Sequence, residues 1–159
     1  MTETPIFPAI GAPVPDFDMQ ASKGRHVSLS AMRGKPFILY FYPKASTPGC
    51  TTEACGFQEA LGALGSTGIP VIGVSRDSMK AIDNFATKHN LAFPLASDAT
   101  GTVTEAYGVW VEKTLYGRKY MGIERATFLI DGSGRVARVW RNVKVPGHVA
   151  EVMKAASEL

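Results

Sequence analysis

The chain has 159 residues, of which 45% are hydrophobic and 19% are charged, and its formal net charge is +3 at pH 7. This length predicts a single domain, spanning residues 1–159, that is large enough to bury a hydrophobic core. The lysines and arginines are scattered with no block of like charge, which argues against a nucleic-acid partner.

No segment of the sequence predicts targeting or membrane insertion. The N-terminus lacks the basic start and the apolar core of a signal peptide. The longest apolar run, residues 36–43, is far short of the roughly 20 residues that a bilayer-spanning helix needs. We therefore expect a cytoplasmic protein with no membrane partner. A reducing compartment makes a permanent structural disulfide unexpected.

The first half of the chain predicts a hairpin, a buried strand and a helix. Residues 1–16 carry four prolines and predict an extended lead-in. Residues 17–32 predict a short hairpin that turns at Lys23–Gly24. Residues 35–43 are continuously apolar and rich in β-formers, which is typical of a strand buried on both faces of a parallel sheet. A helix is predicted from about Pro48 to Leu64.

The second half of the chain alternates strands and helices. It predicts a buried strand over 69–77, a helix over 78–90, a shorter helix over 100–109, a hairpin over 125–140 that turns at 131–134, and a last helix over 145–159 with Pro146 near its start. The resulting order, β-α-β-α-β-β-α, predicts a thioredoxin-like α/β fold. We expect a central mixed sheet flanked by helices, with an N-terminal hairpin extension.

The chain has only two cysteines, Cys50 and Cys55, and both lie in the helix predicted from Pro48. At 100° per residue, Cys50 falls on the apolar stripe of this helix. Cys55 lies roughly 140° away, on the polar side. The other members of the stripe are Ala54, Phe57, Leu61 and Leu64.

The start of the helix predicts an activated thiol. Thr47 is a good N-cap residue and Pro48 suits the first helical position, so Cys50 lies in the first turn. Free N–H groups and the helix dipole favour a thiolate there. Cys50 is therefore predicted to be an activated thiol in a pocket, and Cys55 a more exposed one.

The spacing of the two cysteines prevents them from bonding within an intact helix. Standard helix geometry separates their Cα atoms by about 8.7 Å, whereas a disulfide needs less than about 7 Å. Either the two thiols never bond, or the first turns of the helix unwind when they do.

The sequence also allows other interpretations of the two cysteines. They could be two small core residues, because free cysteine is often buried. A zinc site would need closer cysteine pairs or more ligands, and His26, His89 and His148 lie in three separate segments and are predicted to be surface residues. A thioredoxin-type oxidoreductase would have two residues between its cysteines, whereas this chain has four.

The residues around Cys50 resemble a known family. Pro43, Thr47 and Cys50 match the Pro-x-x-x-Thr-x-x-Cys motif of peroxiredoxins. Residues 41–57 closely resemble the bacterioferritin comigratory protein branch, also called peroxiredoxin Q, and the likeness extends from about Gly11 to the last helix. Residues 44–47 depart from it, because the branch commonly has acidic residues there. This departure affects only local loop electrostatics.

The resemblance implies a reaction and a division of labour. Cys50 matches the peroxidatic cysteine, whose thiolate attacks the O–O bond of a hydroperoxide and becomes a sulfenic acid. Cys55 matches the resolving cysteine of this branch, which forms an intramolecular disulfide with it. Thioredoxin, with a glutaredoxin as the alternative, would then reduce that disulfide. The resemblance implies a monomer that needs no metal, flavin or haem.

The resemblance also assigns roles around Cys50. Thr47 matches the hydroxyl that contacts sulfur and peroxide, and Pro43 matches the residue that shields the pocket from water. Arg125 matches the arginine that stabilises the thiolate, and Glu53 the acid that can orient this arginine. A fixed guanidinium would stabilise the negative charge that builds on the leaving oxygen.

Each role has a simpler alternative. Thr47 could be only a helix cap, Pro43 could simply end a strand, and Glu53 could be a solvated acid of the first turn. Arg125 is chosen over the other arginines only by the resemblance. Two further functions compete with a peroxidase: a general thiol-disulfide oxidoreductase and a thioredoxin-like binding domain. Thr47 and Arg125 near Cys50 would argue against both.

Overall fold

A computed structural model describes residues 8–64 and 69–159 of the protein, without the side chains of residues 61–64. The strands found there are β1 (Asp18–Ala21), β2 (Arg25–Ser28), β3 (Phe37–Phe41), β4 (Val71–Ser75), β5 (Leu95–Ser97), β6 (Trp110–Leu115), β7 (Arg118–Ile123), β8 (Ala126–Ile130) and β9 (Val136–Trp140). The α-helices are α1 (Pro48–Leu64), α2 (Met79–Lys88), α3 (Thr102–Ala106) and α4 (His148–Ser157).

Seven of these strands form one sheet, in the order β2-β1-β5-β4-β3-β8-β9. β3, β4 and β5 run parallel to their neighbours in this group, and the remaining pairs are antiparallel. Within the described residues, β6 and β7 pair only with each other, as a separate antiparallel ribbon. The predicted α/β architecture with a central mixed sheet is confirmed.

The central strand β3 is buried on both faces, as its apolar run predicts. Phe37, Leu39 and Phe41 point to one core, while Ile38 and Tyr40 point to the other. The first core also contains Val103 of α3, and the second contains residues of α1, α2 and α4. The sheet is therefore covered by helices on both sides, and burying both faces of β3 holds the start of α1 close to the sheet.

The two predicted hairpins are present. β1 and β2 flank a three-residue turn in which Lys23 adopts a left-handed φ of 61°. Their hairpin extends the main sheet, because Ala21 of β1 pairs with Ala96 of β5. In the β8–β9 hairpin, the Asp131 carboxylate accepts hydrogen bonds from the backbone N–H groups of Ser133 and Arg135 and so closes the turn.

Two elements of the structure, β5 and the β6–β7 ribbon, are not predicted from the sequence. β5 has only three residues, too few for an alternating pattern. The two-residue turn of the ribbon, at Tyr116 and Gly117, has φ values of 51° and 77°, as type I′ hairpin turns require. Tyr-Gly is not one of the dipeptides that mark such a turn in a sequence. Of the predicted extended lead-in, residues 1–7 lie outside the described residues, and Pro13 forms an isolated bridge with Arg135.

The helices begin close to their predicted positions. α2 is capped by Ser78, whose hydroxyl accepts a hydrogen bond from the N–H of Ala81. α4 begins after Gly147, which has a φ of 76°. Of the helices in the described residues, none is both long and apolar enough to cross a bilayer.

The prediction that all three histidines lie at the surface is wrong for His148. Its residue is only 4% exposed, whereas His26 is exposed and His89 is half-buried. His148 is buried because the first turn of α4 packs against α1 and the sheet. No local pattern in the sequence predicts this contact.

Candidate active site

The start of α1 is built as the sequence predicts, apart from one hydrogen bond. The helix begins at Pro48, and the carbonyl of Thr47 accepts from the N–H of Thr51 at 2.9 Å, which puts Thr47 at the cap position. The Thr47 hydroxyl, however, donates to the carbonyl of Lys44 at 2.7 Å. This differs from the expected side-chain cap because Ser46, with a φ of 66°, turns the chain and brings that carbonyl within reach.

The two thiols have different surroundings. Cys50 is 2% exposed and packs in the core beside Tyr40, Ala54 and Phe57, whereas Cys55 is half-buried. Both cysteines are free thiols in this structure. The predicted contrast in burial is confirmed. Of the predicted apolar stripe, the side chains of Leu61 and Leu64 lie outside the described residues.

Arg125 connects Cys50 to Glu53. Its Nη2 lies 3.3 Å from Cys50 Sγ, and its Nη1 lies 2.6 Å from Glu53 Oε1. The Arg125 side chain is 15% exposed, and that of Glu53 is fully buried. Gly49 permits this approach, because a Cβ at that position would lie 3.3 Å from Arg125 Nη2. The fork of one guanidinium thus holds a thiol and a carboxylate together.

The segment between β7 and β8 fixes the backbone of Arg125. The backbone carbonyl of Arg125 accepts a hydrogen bond from the N–H of Val143 at 2.9 Å. The preceding residue, Glu124, receives two hydrogen bonds from the guanidinium of Arg141, at 3.0 and 3.1 Å, and one from the backbone of Asn142. These contacts join the β7–β8 segment to the residues that follow β9, and they leave Arg125 little freedom to move away from Cys50.

The buried charges affect one another. Burial raises the pKa of Glu53 to about 7, although Arg125 opposes the shift. Burial alone would lower the pKa of Arg125, but Glu53 and Cys50 outweigh it and raise that pKa above its ordinary value. Arg125 therefore stays charged between two groups that can each be anionic.

A second carboxylate holds the loop that precedes Cys50. Asp77 Oδ2 accepts from the backbone N–H of Ala45 at 2.7 Å and from the hydroxyl of Ser75 at 2.8 Å. This tether fixes the loop that carries Pro43 and Thr47. The sequence predicts a turn at residues 75–77, with a position at the edge of the site as the second interpretation, and gives no local sign of what Asp77 binds.

Pro43 lies at the edge of a cleft of about 350 Å³ beside the β6–β7 ribbon. The ribbon contributes Trp110, Lys113 and Met121 to its walls. The Arg76 guanidinium lies 3.4 Å from the centroid of the Trp110 ring and completes one side. The sequence analysis missed these residues because it missed the ribbon. Within the described residues, no three His, Cys, Asp or Glu side chains are grouped so that they could hold a metal ion.

The fold and the site together define a class of protein. A buried thiol lies in the first turn of a helix, where backbone N–H groups and the dipole favour its anion, and a fixed guanidinium lies beside it. A thiol placed in this way can act as an activated nucleophile. These features are those of a thiol-dependent redox enzyme.

Comparison with known proteins identifies the family. The model of the AhpC/TSA family matches residues 10–139. Peroxiredoxin Bcp of Bacillus subtilis is 45% identical over 150 residues, which cover 94% of this chain and 96% of that protein. Peroxiredoxin Bcp of Xanthomonas campestris is 45% identical over 140 residues, covering 88% of each protein.

Solved structures agree with this result. A mutant of PrxQ from Xylella fastidiosa superposes with a TM-score of 0.89 at 38% identity, covering 96% of this chain and 98% of that one. The bacterioferritin comigratory protein of Xanthomonas campestris gives 0.84 at 43% identity, covering 89% and 90%. The chain belongs to the AhpC/TSA family and is a peroxiredoxin of the bacterioferritin comigratory protein branch, and thus a thiol peroxidase. The predicted family and the thioredoxin-like fold are confirmed.

Proposed function

We propose that the protein reduces hydroperoxides by a cycle that uses both of its cysteines. The Cys50 thiolate attacks the terminal oxygen of the hydroperoxide, the O–O bond breaks, and a proton from solvent converts the leaving oxygen into water or an alcohol. Cys50 is then a sulfenic acid. The Cys55 thiol condenses with it, releasing water and forming a disulfide between the two cysteines. An external dithiol reduces that disulfide to complete the cycle.

The observation that carries this proposal is the 3.3 Å contact between Arg125 Nη2 and Cys50 Sγ. A guanidinium at this distance stabilises the thiolate before the reaction. It can also donate to the oxygen that becomes negative as the O–O bond breaks. Glu53, through its 2.6 Å contact with Nη1, keeps the guanidinium plane in this orientation. We assign Arg125 as a catalytic residue and Glu53 as its positioning residue.

Thr47 and Pro43 complete the proposed site. The Thr47 hydroxyl donates its hydrogen bond to the carbonyl of Lys44, which leaves the hydroxyl oxygen free to accept a hydrogen bond from the O–H of a hydroperoxide. Pro43, half-buried at the edge of the cleft, has no N–H to bind water and would exclude it from the thiolate. The Asp77 tether keeps both residues in place.

The position of Cys55 requires the helix to open during the cycle. Both thiols lie in one continuous helix, α1, where five residues separate their Cα atoms by about 8.7 Å, too far for a disulfide. We propose that conversion of the thiolate to neutral sulfenic acid weakens its interaction with Arg125 and with the helix dipole. The first turns of α1 can then unwind and bring Cys50 to Cys55.

The cleft supports organic hydroperoxides as substrates beside hydrogen peroxide. The Xanthomonas bacterioferritin comigratory protein structure is described in terms of alkyl peroxide reduction. In this protein the apolar groups of Trp110 and Met121 line the cleft beside Pro43, where an alkyl chain could lie while its peroxide group reaches Cys50. Burying an alkyl chain there would lower KM by the hydrophobic effect.

We propose thioredoxin as the reductant, with a glutaredoxin as the alternative, because a dithiol protein can open a disulfide with one thiol and resolve the mixed disulfide with the other. We place the cycle in the cytoplasm, where such dithiols are kept reduced. We also propose that the protein acts as a monomer, since both reacting thiols belong to one chain. Size-exclusion chromatography of the reduced protein tests this last point.

The cycle can be tested one turnover at a time. Reduced protein mixed with excess hydrogen peroxide and no reductant should consume one equivalent and lose both free thiols. Adding thioredoxin and its reductase should then restore the thiols and make consumption continuous, and glutathione with glutaredoxin serves as the comparison. A protein that exchanges disulfides readily but consumes no peroxide would be a thiol-disulfide oxidoreductase, and the proposal would be wrong.

A further inference from the structure

Behind the Arg125–Glu53 pair lies a buried histidine that the proposed cycle does not use. Glu53 Oε2 is buried and accepts no hydrogen bond from any described residue. His148 Nε2 lies 4.0 Å from this oxygen and 2.8 Å from the hydroxyl of Thr127. A path of polar contacts therefore runs from Thr127 through His148, Glu53 and Arg125 to the sulfur of Cys50.

His148 reaches Glu53 because α4 begins directly against the first turns of α1. A Cβ on Gly49 would lie 4.0 Å from Val145 Cγ2, and one on Gly56 would lie 3.1 Å from Val149 Cγ2. Gly49, Glu53 and Gly56 follow the i, i+4, i+7 spacing of one helix face. The two glycines thus let the start of α4 approach closely on either side of Glu53, and His148 lies at the centre of this contact.

We propose that His148 is a positioning residue of the peroxidatic site: its Nε2 edge holds the buried Glu53 carboxylate, which in turn holds Arg125 against Cys50. This inference rests on the proposed function, because it concerns the same reaction. It adds a residue from the last helix of the chain to the apparatus that sets the orientation of Arg125.

A neutral imidazole suits this role. Burial lowers the pKa of His148 to about 4, with Glu151 opposing the shift, so the ring is uncharged near neutral pH. With a hydrogen on Nε2, the ring presents a positive dipole to an ionised Glu53 while donating to Thr127. With the hydrogen on Nδ1, Nε2 can accept a hydrogen bond from a protonated Glu53 carboxyl after a movement of about 1 Å towards hydrogen-bond distance. The ring also packs edge-on against Trp140.

Several other ionisable groups face this pair and set its background. Glu53 is faced by Arg125 from the β7–β8 segment and by Tyr40 and Tyr42 from β3 and the residue after it. His148 is faced by Arg125 and by Glu151 of α4. These groups are the same in the wild type and in the His148 variants, which differ only at residue 148.

The test compares His148→Phe, which keeps the ring packing against Trp140, with His148→Gln, which restores an N–H donor. His89→Phe is the matched control, because His89 packs edge-on against Phe85 outside the site. For each reduced protein, the rate constant with hydrogen peroxide and the thiolate absorbance are measured from mildly acidic to alkaline pH.

We expect His148→Phe to slow the reaction about tenfold at neutral pH, the size of effect that loss of one buried polar partner produces. The difference should narrow as the pH rises, because alkaline pH ionises Glu53 even without His148. His148→Gln should recover most of the rate, and His89→Phe should match the wild type. A merely structural role would lower the rate by the same factor at every pH.

A second variant keeps the proposal testable if His148→Phe fails to fold. Thr127→Val removes the partner of His148 and leaves the α1–α4 contact intact, and it should produce a smaller loss with the same narrowing at high pH. Wild-type rates in the folded variants, or a loss that is equal at every pH and not recovered by glutamine, would overturn the role of His148. A wild-type protein that consumes no peroxide would instead overturn the proposed function itself.

Discussion

The two cysteines lie on one helix, yet what packs against them differs completely. Cys50, in the first turn of α1, is buried and touches a guanidinium that a buried carboxylate holds in place. Cys55, in the second turn, is half-buried, and no described residue places a charged group on it. The surroundings of each thiol are therefore set by the elements that close over its face of the helix, rather than by the helix alone.

The largest effects on peroxide reduction are expected from the cysteine variants. Cys50→Ser should abolish peroxide reduction, since no other described thiol has a cation beside it. Cys55→Ser should still complete one turnover and leave a sulfenic acid on Cys50, which a sulfenic-acid probe and mass spectrometry would detect. If Cys50→Ser keeps the first turnover and Cys55→Ser loses it, the two roles are reversed.

Glu53, on the Cys50 side of the helix, makes the free energy of unfolding depend on pH. Its pKa is raised from 4.5 to about 7 in the folded protein. Between these values the folded state binds more protons than the unfolded state, so the free energy of unfolding falls as the pH rises. Glu53→Gln lacks this carboxyl, and its stability relative to the wild type should increase by on the order of 3 kcal/mol across that range.

Urea unfolding of the reduced proteins at a series of pH values measures this difference. Glu59→Gln, an exposed change on the same helix, is the control and should follow the wild type at every pH. Parallel pH profiles for wild type and Glu53→Gln would mean that Glu53 ionises as easily in the folded protein as in the unfolded chain.

Removing the cation should slow the chemistry of Cys50 and leave Cys55 unaffected. Arg125→Ala is expected to lower the thiolate fraction of Cys50 at neutral pH and to slow peroxide attack by tens-fold or more, because one charge-stabilising donor is lost. Ultraviolet thiolate absorbance and stopped-flow kinetics measure the two effects. Arg118→Ala, on the exposed face of β7, is the matched control. Unchanged thiolate fraction and rate would remove Arg125 from the site.

A smaller effect is expected from Gly49. An alanine Cβ would lie 3.3 Å from Arg125 Nη2, so the guanidinium must shift by a few tenths of an ångström away from the sulfur. We expect Gly49→Ala to slow peroxide attack by about fivefold, in line with the sensitivity of catalysis to small misplacements. Thr52→Ala, on the exposed side of the same turn, should react like the wild type. Equal rates for both variants would show that Arg125 tolerates displacement.

Much of this site follows from local sequence. The start of α1 and the different burial of the two thiols could be predicted because a proline, a cap residue and helical periodicity are local signals. Arg125 was selected only through the resemblance to peroxiredoxins. Nothing in the residues around it distinguishes Arg125 from Arg118.

The contacts that sequence could not predict join distant parts of the chain. His148 and Asp77 act through partners in other elements, and their burial or tethering depends on how α4 and β4 pack rather than on any local pattern. The β6–β7 ribbon is a different case. Its pairing is local, but the Tyr116–Gly117 turn is not one of the dipeptides that mark a hairpin in a sequence, so neither the ribbon nor the cleft wall that it forms could be predicted.

The central claim is that α1 keeps the two thiols apart until Cys50 has reacted, and amide hydrogen exchange of the reduced and disulfide-bonded proteins tests it most directly. In the oxidised protein, protection should be lost from about Thr47 to Gly56. It should persist from Phe57 onward, where the ring of Phe57 stacks on Tyr40 with 4.8 Å between centroids. Equal protection of residues 47–56 in both forms would mean that the helix never opens, and the two-cysteine cycle as described here would be wrong.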